Sequence, residues 1–169
     1  MANLIPGTYP AYAAGYINLV SADSVAEAIG KYSSSVTTFF KNLPQEKIGY
    51  RYAEGKWNLK EMLQHIIDTE RIFAYRALRI ARHDKTPLAG FDESTYAKAS
   101  NADARSWESL LDEFEVVRKS TDLLLQSFTD DQLAQTGITN EQPNSVSALC
   151  FTIFGHILHH INIVKERYL

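Results

Sequence analysis

The chain of 169 residues is 45% hydrophobic and 22% charged, which is the composition of an ordinary globular protein of about one domain. Its net charge of −3 and its pI of about 5.9 argue against a nucleic-acid-binding surface, because such surfaces carry an excess of lysine and arginine. The single cysteine, Cys150, excludes an internal disulfide and a CxxC metal site, and it fits a reducing compartment.

The sequence shows no sign of a membrane span or a signal peptide. No uninterrupted apolar run approaches the roughly 18 residues of a span, and the N-terminal residues lack a basic region followed by a long apolar one. No repeat with a period of about 20–50 residues is present. We therefore expect one cytoplasmic domain over residues 1–169, with neither a membrane nor a nucleic acid as partner.

The first half of the chain predicts a short helix followed by two long ones. The opening segment contains three tyrosines between residues 9 and 16, too aromatic for a free tail, so we expect it to pack on the domain as a short helix. Apolar residues at the i, i+3, i+4, i+7 spacing predict a helix over about residues 24–42, which Pro44 ends. The same spacing predicts a helix over residues 58–83, where Asn58 and Glu61 have the spacing of a capping box.

The second half predicts two more long helices, over about residues 106–128 and 145–168, with Ser145 as the N-cap of the last. Strand signals are poor, since no hairpin dipeptide joins two alternating runs. Four such helices predict an all-α fold, a four-helix bundle with the opening segment packed on it. The connection over residues 84–105 is longer than neighbouring helices need, so it either crosses the bundle or lines a site.

Three of the five histidines lie within five residues of the last predicted helix. At about 100° per residue, His156 and His160 project about 40° apart, near one edge of the apolar face, whereas His159 projects to the small and polar side. On the second long helix, His65 also lies at the edge of the apolar face. If these two helices face each other, three imidazoles meet, and three protein ligands with an open position are typical of a catalytic metal site.

Other interpretations of these residues are ordinary. A histidine at an apolar edge is usually a hydrogen-bonded core residue, and an i, i+4 pair can be one too. We interpret His83 as a residue of a helix end and His159 as part of a solvated or interface face. Cys150 is read as a core residue.

Three charged residues of the second long helix also invite a functional interpretation. Asp68 could orient the His65 imidazole, although an exposed helix charge is the simpler interpretation. Glu70 projects into or beside the apolar face, so we expect a buried or half-buried ion pair with an arginine such as Arg71, Arg76 or Arg167, and a general base is the alternative. Arg76 shares the His65 side but lies about 16 Å along the axis, so it could anchor only a large substrate.

Three motifs together resemble the DinB-like superfamily, also called the DinB/YfiT-like metalloenzymes. These are "YRYAEGKWNLKEMLQHIIDTERIFAYRALRIARHD", "GFDESTY" and "GHILHHINIVKERYL", in the order expected of that family and covering nearly the whole chain. The resemblance implies a four-helix bundle with a long crossover connection, often dimeric. It also implies a divalent metal held by one histidine of the second helix and an HxxxH pair of the last, here His65, His156 and His160.

The resemblance leaves the reaction open. Its members include thiol-dependent S-transferases, a maleylpyruvate isomerase that uses a low-molecular-weight thiol, and proteins labelled metal-dependent hydrolases. We expect an enzyme that uses a divalent metal (zinc or nickel first, manganese or iron next) to activate a thiol or a water for a small-molecule substrate, and a homodimer. The alternatives are a non-catalytic dimeric stress-response or binding protein, and a metal buffer or sensor. No catalytic residue is predicted beyond the metal ligands.

Overall fold

The structure, a computed structural model, describes residue 4 and residues 7–169. Its helices are α1 (Ala13–Ile17), α2 (Val25–Lys41), α3 (Leu59–Ala81), α4 (Glu93–Ala99), α5 (Trp107–Gln126), α6 (Asp130–Leu133) and α7 (Val146–Arg167). Single 3-10 turns lie at Gln45–Lys47 and Ala102–Ala104, and two strands, β1 (Thr136–Thr139) and β2 (Gln142–Ser145), precede α7. The four long helices are those the sequence predicts, each within two residues at either end.

Local hydrogen bonds start the four long helices. Ser24, Asn58, Ser106 and Ser145 each accept a hydrogen bond from the backbone N–H three residues further on. At Asn58, the Glu61 side chain also accepts from the cap backbone, which completes the predicted capping box. Each such cap contributes about 0.5–2 kcal/mol, so the helix starts are encoded locally.

The four long helices form a bundle in which chain neighbours are not all spatial neighbours. Helix α3 packs on α5 and α7, and α2 packs on the same two helices. Helices α2 and α3 are therefore diagonal to each other, as are α5 and α7. The connections before α3 and before α7 cross the bundle, whereas the long connection over residues 84–105 joins adjacent helices and packs α4 against α3.

Helix α7 forms the centre of the core. By length and composition it is the one helix of the described residues that could cross a membrane, with a mean hydropathy of 1.4 over its most apolar window. However, 72% of that window is buried inside the protein, where α1, α2 and α3 cover it. It therefore has the burial of a core helix, and Cys150, fully buried in it, is the core residue the sequence predicts.

The structure contains one short hairpin, for which the sequence carries no clear signal. Strands β1 and β2 pair antiparallel, with Thr136 opposite Ser145 and Thr139 opposite Gln142. Asn140 and Glu141 make the turn at φ values of 48° and 62°, the left-handed conformation of a two-residue hairpin turn. Glutamate stands where glycine is usual, so the sequence lacked the dipeptide signal. Leu88 binds the hairpin through backbone bonds of 2.9 and 2.8 Å, which joins it to the 84–105 connection.

Glu70 is buried and paired with an arginine as predicted, and that arginine is Arg118, which was not among the three examples offered by the sequence. Arg118 Nη1 of α5 lies 2.9 Å from Glu70 Oε1, whereas Arg71 pairs with Glu113. Arg118 also donates to Asp122 at 2.5 Å and lies over the Phe154 ring of α7. Burial raises the pKa of the Glu70 carboxyl and the Arg118 charge opposes this. The network has a structural position, linking α3, α5 and α7 inside the core.

Candidate metal centre

Three buried histidines from two helices meet at one point of the bundle. His65 Nε2 of α3 lies 3.0 Å from His156 Nε2 of α7, and His160 Nε2 lies 3.1 Å from the same atom. One ligand atom from each ring lies within 4.8 Å of the others. The side chains are only 4%, 4% and 7% exposed. The structure thus brings together the three residues that the helical projection selected.

The two remaining histidines lie outside this cluster. His159 is half-buried on the neighbouring face of α7, where its ring packs against Tyr16 at 5.3 Å between ring centroids. His83 follows α3 in the left-handed conformation at φ 61°, and its N–H bonds the Ile80 carbonyl at 2.9 Å. His83 thus lies at a helix end as predicted, whereas His159 packs against α1 of the same chain rather than lying on a fully solvated face.

Packing fixes the orientation of the three rings. The Trp57 ring lies 4.8 Å from that of His65, and Tyr16 and Phe73 pack edge-on against His156 at 5.5 and 6.1 Å. The polar neighbour of His65 Nδ1 is Thr69 Oγ1 at 3.4 Å. Asp68, the possible partner in the sequence, is instead half-buried and accepts from Gln64 Nε2 at 2.9 Å. Thr69, four residues after His65, therefore occupies the position beside the His65 ring that was expected for Asp68.

The cluster is electrically neutral at neutral pH. Burial lowers the pKa of His65 to about 4 and that of His160 to about 3. Burial also lowers the pKa of His156 well below its ordinary value, with the neighbouring His160 and His65 adding to the effect. Neutral imidazole is the form that binds metals. The ligand set therefore needs no deprotonation before it binds an ion.

The hydrogen-bonding capacity of the rings fits a cation better than a purely hydrogen-bonded cluster. His156 Nε2 faces two other Nε2 atoms, but an imidazole nitrogen offers one N–H or one in-plane lone pair, so it serves one neighbour well. His160 Nδ1 is buried with no partner in the described part of the chain. Two nitrogens about 2.1 Å from one ion, at angles of 90–110°, are about 3.0–3.4 Å apart. The separations of 3.0 and 3.1 Å match this range.

Two cavities reach the histidines from different sides. One cavity, of about 220 Å³, borders His156. Its other walls come from α1 and the residue before it, α3, the 84–105 connection and the hairpin turn, and they include Tyr12, Tyr16, Phe73, Arg76, Phe91, Glu93 and Asn140. Another of about 290 Å³ borders His160 and includes Tyr52, Lys56, Trp57, Ser94 and Tyr168. Glu93 and Ser94, the first residues of α4, border one cavity each. The 84–105 connection therefore lines the site, which is one of the two roles predicted for it.

Sequence reasoning related Arg76 to His65 alone, about 16 Å away along the axis of α3, whereas in the structure Arg76 also lies near His156 of α7. The Phe73 ring centroid lies 6.1 Å from that of His156 and 5.8 Å from Arg76 Cζ, so guanidinium and imidazole are no more than about 12 Å apart. It also missed the tyrosines of α1 as site residues, although their aromatic cluster had indicated packing. Glu93 belongs to the "GFDESTY" motif, and only its place in the fold shows that it borders the cavity beside His156.

Fold and histidine cluster together define a class, a helical bundle with a three-histidine site between two of its long helices. The family model of the DinB superfamily matches residues 33–164. The chain belongs to the DinB superfamily, as its motifs indicated.

Individual relatives are distant. A protein of Oceanobacillus iheyensis named "Putative metal-dependent hydrolase" is 23% identical over 139 residues, which cover 81% of this chain and 79% of that protein. The structure of YfiT from Bacillus subtilis matches with a TM-score of 0.72 and 13% identity, over 98% of this chain and 91% of YfiT. YfiT is described as "a probable metal-dependent hydrolase with an unusual four-helix bundle topology".

A mycothiol-dependent maleylpyruvate isomerase matches with a TM-score of 0.65 and 12% identity, over 91% of this chain. The chain spans 60% of that isomerase. At these identities the two solved structures show the fold alone.

Proposed function

We propose that His65, His156 and His160 hold a divalent metal ion and that the protein is a metal-dependent enzyme acting on a small molecule. The observation that carries the proposal is the meeting of three buried imidazoles, of which His156 borders one cavity and His160 another. Imidazole ligands suit zinc and nickel first, with iron and manganese as further candidates. The names of the Oceanobacillus protein and of YfiT support a metal-dependent activity.

The donor set favours catalysis over storage. Three neutral ligands leave the charge of a divalent ion uncompensated, and they leave coordination positions for an exogenous anionic ligand. An ion at this position would lower the pKa of a water or thiol that reaches it. The chain contributes the rest: the aromatic residues around His65 and His156 exclude bulk water, and Glu93 is the carboxylate that lines the cavity beside His156.

Two cavities at one site suit a reaction with two partners. A thiol could enter on one side and its electrophilic acceptor on the other, as in thiol transfer, whereas hydrolysis needs one organic substrate and water. The likeness to a mycothiol-dependent isomerase supports a low-molecular-weight thiol as cosubstrate, and the hydrolase names of the relatives support water. The homodimer implied by the family resemblance stays a prediction, as does the cytoplasmic location.

Cobalt(II) substitution tests whether the site is open to such ligands. The protein is loaded with one equivalent of cobalt(II), and its visible spectrum is recorded while azide or cysteine is added. An open site predicts a spectral change with either ligand. A cobalt spectrum that neither ligand alters indicates closed coordination and contradicts the enzyme proposal.

Turnover is then measured with zinc- and nickel-loaded protein on a panel of activated esters and on cysteine with a panel of electrophiles. The proposal predicts turnover in one panel that His160→Ala abolishes. An open cobalt site without turnover in either panel would favour the alternative, a binding protein that keeps the metal site.

A further inference from the structure

Arg76 is a buried cation without a counter-charge. It is 4% exposed, and no carboxylate of residue 4 or residues 7–169 lies within ion-pairing distance of it. Its guanidinium donates one hydrogen bond, from Nη2 to the Ala89 carbonyl at 2.7 Å, and lies over the Phe73 and Phe91 rings at 5.8 and 5.9 Å. Other arginines of the chain pair with carboxylates (Arg51, Arg71, Arg79, Arg105 and Arg118).

This arrangement is costly unless something compensates the charge. Arginine remains protonated in proteins, and a buried charge is normally paired with an opposite one. A single carbonyl uses one of the five N–H donors of the guanidinium. The side chain that carries the unused donors lines the cavity beside His156 and also a neighbouring cavity of about 370 Å³ whose lining includes no histidine. An anion from outside the chain would supply the negative charge that the described residues do not place beside Arg76.

The lining of that cavity favours a carboxylate. A guanidinium binds a carboxylate through two parallel hydrogen bonds, and Tyr12 and Tyr16 line the same cavity. Glu93, also on its wall, is exposed and makes no ion pair with Arg76 among the described contacts. One cation beside one acidic wall residue suits a singly charged anion better than a phosphate dianion.

The cavity also limits the size of the ligand. Its volume of about 220 Å³ is below the roughly 300–1,000 Å³ of sites for drug-sized molecules. The guanidinium and the His156 ring both pack against the Phe73 ring, so they stand no more than about 12 Å apart. A small molecule held at Arg76 therefore reaches the histidines with its other end.

We propose that Arg76 anchors the carboxylate of a small substrate or thiol cosubstrate, whose reacting group then faces the metal ligands beside His156. The reacting end rests on the proposed function, whereas the anchor itself does not require a metal. The ligand class is a short molecule with a carboxylate at one end and the reacting group at the other.

The test compares ω-mercaptocarboxylates with ω-mercaptoalcohols of equal length, titrated by calorimetry into zinc-loaded and metal-free protein. Wild-type protein should bind the carboxylate of each pair about ten- to hundredfold more tightly, the range for a charge-assisted hydrogen-bonded pair. Arg76→Gln should lose this preference and Arg76→Lys should keep part of it. Arg79→Gln, one turn away and outside this cavity, should keep all of it.

The outcomes separate the two proposals. If the protein binds no metal yet keeps an Arg76-dependent preference for carboxylates, the proposed function fails and the anchor stands. Equal binding of carboxylates and alcohols by the wild-type protein overturns the anchor, whatever the variants do. Inorganic phosphate that displaces the bound carboxylate more effectively than acetate does would also overturn it, by assigning the position to a phosphate group.

Discussion

Gly155 lets α1 approach α7, and its replacement by alanine should separate metal binding from ligand binding. A Cβ at this position would lie 2.1 Å from the Tyr16 carbonyl oxygen and 2.4 Å from its carbon, both backbone atoms. Since Cβ contacts below 3.0 Å do not occur, α1 has to move by about 1 Å or more. Such overpacking costs about 1–3 kcal/mol, and the better helix propensity of alanine returns up to about 1 kcal/mol. We expect a net loss of up to about 3 kcal/mol in the free energy of unfolding.

The same shift should weaken ligand binding without removing the metal. Tyr12 and Tyr16 are carried by α1 or its first turn and line the cavity beside His156, whereas the histidines belong to α3 and α7. Displacements of about 1 Å in a site can cost about a hundredfold in function. Urea unfolding followed by circular dichroism gives the stability, and calorimetry with a mercaptocarboxylate gives the affinity.

Gly30→Ala is the matched control, because nothing lies within 4 Å of a Cβ at that exposed position of α2. It should be neutral or stabilise by up to about 1 kcal/mol. If Gly155→Ala proves as stable as Gly30→Ala and binds the ligand as wild type does, the close approach of α1 has no role in shaping the cavity, and the reasoning fails.

Three further predictions concern the rest of the fold. Arg118→Met should lower the free energy of unfolding by about 3–5 kcal/mol, because it leaves the Glu70 charge buried and unpaired. In urea unfolding, the double variant with Glu70→Gln should recover part of that loss. If the losses of the two single variants simply add in the double variant, the two residues are not coupled and the prediction is contradicted. Burial raises the pKa of the Cys150 thiol, so iodoacetamide should not label it in the native protein at pH 8 but should after unfolding; rapid native labelling would contradict its burial. Glu141→Gly should increase the free energy of unfolding by up to about 1 kcal/mol and so raise the urea midpoint, because glycine adopts φ 62° without strain. A lower midpoint would contradict the turn conformation.

The long helices could be read from the sequence because their signals are local. Apolar periodicity and the capping side chains Ser24, Asn58, Ser106 and Ser145 lie within the segments they start. The hairpin was missed for a local reason as well. Its turn places Glu141 in a left-handed conformation that glutamate rarely adopts, and tertiary contacts with Leu88 hold it there.

The histidine cluster was partly accessible and its surroundings were not. The i, i+4 spacing puts His156 and His160 on one face of any helix. Adding His65 to them required knowing that α3 packs on α7. Only the position of His65 at the edge of its apolar face and the family resemblance indicated this packing. The ion pair of Glu70 with an arginine was predicted, but Arg118 could not be singled out because it lies on a helix whose packing the sequence does not specify. The position of Arg76 relative to His156 was not accessible, because axial rise along α3 measures only its distance from His65 and says nothing about a residue of α7.

Metal content of the purified protein tests the central proposal most directly. The wild type and the variants His160→Ala and His159→Ala are expressed without an affinity tag, incubated with zinc or nickel, desalted and measured by mass spectrometry. We predict one ion per chain in the wild type, one in His159→Ala, and a strong loss in His160→Ala, because only His160 of that pair faces the cluster. A wild type that retains no metal, or a His160→Ala variant that retains all of it, would contradict the three-histidine site and the enzyme proposed from it.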